Sequence, residues 1–168
     1  MSEDLILGTI LGFFLFVAYD SLIGRIREKD RRKRSFRVLL DELHNITERG
    51  DVNITTIQEE MLRLRETADL RIRTLIPLGT LGWDLLRSSG ISAALDASTL
   101  TRLYTIYNQV DLHNKLLTLR ERYIASSVPT VIQPGYIENY DHRILQTAES
   151  IKRDIGLVEP EIKKSTDC

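Results

Sequence analysis

The first part of the chain is apolar at nearly every position. Residues 5–24 read LILGTILGFFLFVAYDSLIG, with no charged side chain before Asp20. A helix needs about 20 residues to cross a hydrocarbon core about 30 Å thick, and this run supplies 20. Asp20 lies near the end of the run, where a carboxylate can reach the headgroup layer at lower cost than at the bilayer centre. We therefore expect residues 1–24 to form a single transmembrane anchor.

The two alternatives to an anchor are a cleaved secretory signal and a buried core helix. A signal peptide begins with a basic segment and ends in small residues at its cleavage site. This run instead follows Ser2, Glu3 and Asp4 and precedes bulky or charged residues. A core helix at the surface of a domain is apolar on one face only, whereas this run is apolar on every face. The pattern favours an uncleaved anchor.

A basic block, residues 25–37, follows the apolar run directly. It contains eight Lys and Arg residues against Glu28 and Asp30, a local charge of +6, and no Lys or Arg precedes the run. The eight are Arg25, Arg27, Lys29, Arg31, Arg32, Lys33, Arg34 and Arg37. Positive residues beside a span stay on the cytoplasmic side. We expect the N-terminus outside the cell membrane and the body in the cytoplasm, although two glycosylation sequons, at Asn45 and Asn53, would favour the opposite side.

The same block has a candidate chemistry of its own. Lys and Arg close to a membrane attract anionic headgroups by about 1 kcal/mol each, so the bilayer itself is an expected partner. The alternative is that the block only sets orientation. Binding to nucleic acid is not expected, because no aromatic residue interleaves the block and no nucleic-acid-binding fold signature follows it.

The rest of the chain has helical periodicity. Apolar residues recur at spacings of three and four in four stretches, which predicts amphipathic helices. We expect one helix to end near Gly50, a second to start at a Thr56-x-x-Glu59 capping box, a third to cover 99–126 with Ser98 as its cap, and a fourth to end at Gly156.

The fold class that follows is all-α: one transmembrane helix that continues into a cytoplasmic helical bundle or a coiled-coil-like hairpin. The predicted organisation is an anchor at 1–24, a basic juxtamembrane stalk at 25–37, a helical domain at 38–157 and a disordered tail at 158–168.

The third predicted helix has two apolar stripes. The first follows the spacing of a coiled-coil seam and comprises Leu100, Leu103, Tyr107, Val110, Asn114 and Leu117. The second comprises Leu112, Leu116, Leu119 and Tyr123. Asn114 would set the register of a coiled coil, or it would be a hydrogen-bonded core amide in a bundle.

No pattern of catalytic or metal-binding residues is present. His142 lies four residues after Glu138, and Asp111 lies two before His113, but a metal site needs three or four convergent ligands. Cys168 is the only cysteine, and no serine lies in a nucleophile elbow. We expect no enzyme activity, no cofactor and no metal.

Two sets of residues could mediate contacts between proteins. Gly8 and Gly12 form a G-x-x-x-G motif, which lets transmembrane helices pair closely, so we expect a homo-oligomer. Trp83, Tyr104 and Tyr107 could line a partner groove, or they could pack the core.

The stretch around these aromatic residues carries a resemblance. Trp83-Asp84, Ser89-Gly90 and the run from Leu103 through Tyr107-Asn108 to Leu112, together with the anchor layout, resemble small single-pass bacterial and archaeal membrane proteins of unknown function. The resemblance implies no catalytic roles.

These observations give a leading hypothesis and two alternatives. The leading one is a non-enzymatic, membrane-tethered helical scaffold that self-associates and binds a cytoplasmic protein. The second is a membrane-anchored sensor subunit with a ligand pocket beneath Trp83. The third is an enzyme whose catalytic residues are scattered along the chain.

Overall fold

The computed structural model describes residues 3–67, 72–88, 91–126 and 134–167, and within these ranges the side chains from Phe13 onward except those at positions 65, 67, 91, 134, 166 and 167. Within these residues there are four α-helices and no strands: α1 (Glu3–Thr67), α2 (Leu81–Ser88), α3 (Ala97–Ser126) and α4 (Pro134–Asp167). A short 3-10 turn, Ile91–Ala94, lies between α2 and α3. The all-α class and the helical bundle are confirmed for the part of the chain described.

The long helix α1 does not end near Gly50, as the sequence predicts, but continues to Thr67. Glycine inside a helix costs about 1 kcal/mol relative to alanine. Ile46 and Ile57, on either side of Gly50, are buried, and burial of each such side chain contributes about 1.5–3 kcal/mol. The packing on both sides therefore outweighs the glycine. Thr56 lies inside α1, and no helix begins there.

Three helices form the bundle: the part of α1 after residue 34, α3 and α4. α1 and α3 are parallel, since Glu42 contacts Tyr107 and Glu60 contacts Arg120. α4 is antiparallel to both. The main core comprises Phe36, Leu39, Leu43, Ile46, Leu78, Leu86, Leu95, Leu103, Ile106, Tyr107, Val110, Ile151, Ile155, Val158 and Ile162. A second cluster at the other end of the bundle comprises Ile57, Leu75, Leu116, Leu117 and Ile144.

Residues 72–80, here called the strap, lie across α1 and α3 without secondary structure. The amide of Asn114 binds both backbone groups of Leu78, each at 2.9 Å. Asn53 binds both backbone groups of Ile76 in the same way, each at 2.8 Å. Buried backbone polar groups need partners, and two helix amides supply them here. Asn114 is therefore a partnered core amide, and Leu75 and Leu78 are buried.

The second stripe predicted on α3 is only partly correct. Leu116 is buried and Tyr123 is half-buried, but Leu112 and Leu119 are exposed. The predicted cap of this helix is also wrong. Asp96, not Ser98, caps α3, because its carboxylate accepts hydrogen bonds from the backbone N–H of Thr99 at 2.9 Å and from its hydroxyl at 2.6 Å.

The predicted disordered tail, residues 158–168, is wrong through residue 167. α4 passes through Gly156 and Pro160 and ends at Asp167. Proline inside a helix costs about 3 kcal/mol, but Val158 and Ile162 are fully buried in the main core, which offsets that cost. The bundle therefore extends ten residues past the predicted domain boundary at 157.

The first part of α1 projects from the bundle. None of the side chains at positions 13–34, here called the arm, is buried, and the first buried residues are Ser35 and Phe36. The bundle thus begins before the predicted boundary at 38. Across the residues whose side chains are described, no helix is long and apolar enough to span a membrane. Positions 5–12 of the expected span lie outside those residues.

Candidate anion-binding cleft

A cavity of about 710 Å³ lies where the arm meets the bundle. Its walls come from the arm, from the turn before α3 and from the last turns of α4. The lining residues are Arg25, Glu28, Lys29, Arg32, Lys33, Phe36, Ala94, Asp96, Glu161, Lys164 and Ser165. We call this cavity the basic cleft. Pockets for small ligands have volumes of about 300–1,000 Å³, so its size suits a small ligand.

Helical geometry explains why the lining residues of α1 lie on one wall of the cleft. Positions 25, 29, 32 and 36 recur at intervals of four and three, which places them on one face of α1. Phe36 on that face packs in the main core with Val158 and Ile162 of α4. Because α4 runs antiparallel to α1, its last turns come to lie beside the next residues outward along the arm. Lys164 therefore joins Arg25 and Lys29 although it is more than 130 positions away in sequence.

The cleft is positively charged. Five Lys and Arg side chains line it against three acidic ones, a balance of +2. Glu28 pairs with Arg32, and Glu161 binds Lys164 at 3.0 Å, so the acidic residues hold two of the basic groups in place. Hydrogen bonds from Thr99 lower the pKa of Asp96, which keeps this carboxylate charged at the start of α3. The arrangement can bind an anion.

The structure divides the eight residues of the basic block into two groups. Arg25, Lys29, Arg32 and Lys33 line the cleft. Arg27, Arg31, Arg34 and Arg37 are exposed and are not among its lining residues. The expected pairing residues Gly8 and Gly12 fall outside the residues whose side chains are described.

The three aromatic residues singled out by sequence do meet. The Trp83 ring stacks on Tyr107 at 5.0 Å between centroids and meets Tyr104 edge-on at 6.0 Å. Tyr107 is buried, and its hydroxyl donates to Oε1 of Glu42 at 2.7 Å. Burial, followed by this hydrogen bond, raises the pKa of Tyr107. Oε2 of the same carboxylate accepts from the backbone N–H of Gly82 at 2.5 Å.

This aromatic group packs α2 against α3 and lines neither of the two described cavities. Within this group Tyr104 faces solvent and is 57% exposed. A Cβ atom at Gly82 would lie 3.2 Å from the Glu42 side chain, so a larger residue there would require that side chain to shift. A ligand in a sensor pocket beneath Trp83 would need to contact the Trp83 ring and polar groups beside it. Tyr107 already stacks on that ring and binds Glu42.

A buried charge cluster, Glu60, Arg120 and Asp141, was not anticipated from the sequence. Arg120 is 1% exposed, and its guanidinium donates to Glu60 at 2.5 Å and to Asp141 at 2.6 Å. It also donates to the backbone carbonyl of Arg73 in the strap at 3.3 Å. Burial raises the pKa of Asp141, and the Arg120 charge opposes that shift. The sequence signal was a charged residue three positions after Leu117, in phase with the apolar stripe.

His113 is fully buried between three helices. Its Nε2 lies 3.4 Å from the Asn53 amide nitrogen, and its Nδ1 lies 3.1 Å from the Thr147 hydroxyl. An amide nitrogen can only donate, so Nε2 accepts and the proton is on Nδ1. Burial lowers the pKa of His113 to about 4. The ring is therefore neutral and links α1, α3 and α4 through its two hydrogen bonds.

No described part of the chain brings together three or more His, Cys, Asp or Glu residues that could hold a metal ion. The buried charge cluster has two carboxylates, but both are engaged by Arg120. Comparison with protein-family models, with curated proteins and with solved structures gives no match for this chain.

Proposed function

We propose that this protein is a membrane-tethered helical scaffold, anchored through residues 5–24, whose bundle lies on the cytoplasmic side and binds proteins rather than catalysing a reaction. The observation that carries the proposal is the arm. Its large apolar side chains stand free of the bundle, with Phe13, Phe14 and Phe16 each about two-thirds exposed. They continue an apolar sequence, residues 5–12, that precedes them.

The amount of exposed apolar surface argues for a non-aqueous environment. Four consecutive apolar residues, 13–16, point to all sides of the helix and are each at least 64% exposed. Burial of one such side chain contributes about 1.5–3 kcal/mol, so water around the whole turn would be unfavourable by several times that amount. A bilayer removes this surface from water on every side of the helix. A groove in the same chain would cover only one face.

The basic block supports the proposed orientation. Its eight cationic side chains lie immediately beyond the expected span, and residues before the span include none. Because α1 is continuous through this region, the charges are held at a fixed distance from the anchor. The rise of about 1.5 Å per residue places Arg25 to Lys33 within about 14 Å of the end of the span. This range covers the headgroup layer, which is about 5–8 Å thick on each side.

The single cysteine allows a direct test of orientation. Cys168 is the only cysteine in the chain, so a membrane-impermeant maleimide added to intact cells reports on the C-terminal side alone. We expect no labelling until the cells are permeabilised. In the control variant, Ser2→Cys with Cys168→Ser, labelling should occur in intact cells. Extraction of the native chain by alkaline carbonate would refute the anchor, and labelling of Cys168 in intact cells would refute the orientation.

Self-association forms the second part of the proposal and rests on Gly8 and Gly12. Substitution of both by leucine would prevent close approach of two helices. We expect chemical crosslinking in native membranes to give dimers of the natural chain and monomers of the Gly8→Leu, Gly12→Leu variant. Replacement of Gly24, which has nothing within 4 Å of a built Cβ atom, is the matched control. Monomers alone from the natural chain would refute self-association.

A further inference from the structure

The basic cleft has properties that a row of charges beside a membrane does not have. Only half of the block lines it, and its fifth cationic group, Lys164, comes from the far end of the chain. Basic residues that only set the orientation in the membrane do not need a second helix packed opposite them. The packing of α4 against α1 has instead closed the basic face of the arm into a cavity of about 710 Å³.

The floor and rim of the cavity differ in character. Phe36, which is 2% exposed, and Ala94 give it apolar surface at the bundle end. Arg25 and Lys29 line its end nearest the expected anchor along α1. By helix rise, these two residues lie about 1.5–8 Å beyond Gly24, which is the depth of the headgroup layer if residues 5–24 span the bilayer. This end of the cavity would therefore lie at the level of phospholipid headgroups.

The charge of the cleft selects among anions. Its lining balance is +2, and a phosphomonoester carries about −1.5 to −2 at neutral pH. A phosphodiester carries only one negative charge. Arg25 and Arg32 offer forked N–H donors that match phosphate oxygens in pairs, and Lys29, Lys33 and Lys164 add point charges. Among the described residues that line the cavity, the buried Phe36 is the only aromatic one, so these residues offer a base no exposed ring to stack on.

We propose that the basic cleft is a binding site for a phosphomonoester group at the membrane surface, formed jointly by one face of the basic block and Lys164 of α4. The proposal rests on the membrane anchor proposed above for its preferred source, a phospholipid with a terminal phosphate. The same chemistry would admit a soluble phosphomonoester. The two acidic residues paired with Arg32 and Lys164 hold those side chains in place until the phosphate competes for them.

The test uses matched triple variants of the full chain. Arg25→Gln, Lys29→Gln and Lys33→Gln together remove three cleft charges. Arg27→Gln, Arg31→Gln and Arg34→Gln together remove three charges of the same block outside the cleft. Both sets lie on the exposed arm, so neither removes a core contact. General attraction to an anionic surface depends on the number of charges, and it would fall equally in the two variants.

Two sets of binding measurements distinguish the two sources of phosphate. Purified chain is reconstituted in phosphatidylcholine nanodiscs that contain phosphatidic acid or, as the singly charged control, phosphatidylglycerol, and retained lipid is counted by native mass spectrometry. In a separate experiment, glycerol 3-phosphate is titrated into the chain in nanodiscs of phosphatidylcholine alone. Retention of phosphatidic acid without glycerol 3-phosphate binding identifies the lipid as the source. Binding of glycerol 3-phosphate with the same variant pattern identifies a soluble ligand.

We expect phosphatidic acid to be retained over phosphatidylglycerol, the cleft triple variant to lose at least about tenfold in affinity, and the other triple variant to lose less than about threefold. Each cationic contact near the surface is worth about fivefold. Lys164→Gln should therefore lose about fivefold, and Lys163→Gln, its neighbour outside the lining set, should change little.

Equal losses in the two triple variants, or equal retention of the two lipids, would overturn the proposal, as would binding of neither phosphate probe. Failure of the anchor is a separate result. A chain extracted by carbonate would not be in the nanodisc, but the glycerol 3-phosphate titration with the same variants would still test the cleft on the soluble chain.

Discussion

Substitution of Arg120 by methionine tests the energetics of the buried charge cluster. Methionine fills a similar volume without a charge, so Glu60 and Asp141, which are 9% and 2% exposed, would keep their carboxylates without a cationic partner. Removal of one partner from a buried ion pair costs about 3–5 kcal/mol. We expect the free energy of unfolding of Arg120→Met to fall by that amount, a large part of the 5–15 kcal/mol typical of a domain.

The assay is denaturant unfolding of the full chain in detergent micelles. Trp83 is the only tryptophan, and its ring is stacked on Tyr107 in the core, so its fluorescence reports on bundle packing while circular dichroism reports on helix content. Arg122→Met is the matched control, because Arg122 is exposed on the same helix. Exposed substitutions usually change stability by less than about 0.5 kcal/mol.

A third variant separates lost charge balance from lost packing. Arg120→Met combined with Glu60→Gln and Asp141→Asn leaves no buried charge, and neutral replacements of buried ion pairs are often tolerated. We expect this triple variant to be more stable than the single one. A loss below about 1 kcal/mol in Arg120→Met, or a triple variant no more stable than the single, would refute the reasoning.

The cluster also predicts a pH dependence. Burial raises the pKa of Asp141, and Arg120 opposes that shift, so the pKa should rise further in Arg120→Met. A carboxyl with a folded-state pKa above its unfolded value holds its proton more tightly when folded. Its contribution is therefore fullest at low pH and is lost as pH rises through the folded pKa. Arg120→Met should therefore recover part of its lost stability as the pH is lowered from neutral toward 3.8, the ordinary pKa of an aspartate.

Other buried polar contacts give further predictions. Asn114→Ala should lose about 1–3 kcal/mol by leaving two strap backbone groups unpaired and should speed proteolysis of the strap, whereas the exposed Asn108→Ala should do neither; equal cleavage would contradict this. Tyr107→Phe removes a hydroxyl that donates to a carboxylate and should lower stability by about 1.5–3 kcal/mol, against little change in Tyr104→Phe. His113 has a pKa lowered from 6.5 to about 4, so stability that is present above pH 6.5 should be lost as pH falls toward about 4, by about 3 kcal/mol. His113→Gln should flatten that part of the unfolding profile, and an unchanged profile would contradict the assignment.

The helices that the sequence predicted well are those with long, regular apolar stripes. Of the seam on α3, Leu103, Tyr107, Val110 and Leu117 are buried. The fourth predicted helix also has an apolar stripe, and its residues Ile137, Ile144, Ala148, Ile151 and Ile155 are buried on α4. Their spacing is a local property that any bundle must bury. Glu59 and Arg63 likewise form an ion pair at 3.5 Å, because residues four apart on a helix are neighbours in space.

The helix ends were less predictable, because they depend on tertiary packing. Gly50, Gly156 and Pro160 are all helix breakers by intrinsic propensity, and the two helices run through all three. The buried residues beside Gly156 and Pro160 belong to the main core, and Gly50 lies between Ile46 of the main core and Ile57 of the second cluster. Those contacts come from other helices, so no window of sequence around the breaker contains them.

The candidate cleft shows the same division. Sequence identified eight basic residues but could not separate the four that line the cavity from the four that do not, since the distinction depends on which face of α1 meets α4. No feature of the sequence indicated that Lys164 belongs to the same site. It was placed in a tail expected to be disordered, and it reaches the cleft only because Val158 and Ile162 hold the end of α4 against Phe36.

The sequence by itself determined the all-α class, the position of the stripes that form the core, and the apolar run followed by its basic block, because these are properties of neighbouring residues. Only the tertiary structure decided the strap, the buried charge cluster and the basic cleft. Arg120 meets Glu60 across 60 positions, and Asn114 meets Leu78 across 36. A charged or amide side chain in an apolar stripe is stable only with its partner in place, and the fold supplies that partner.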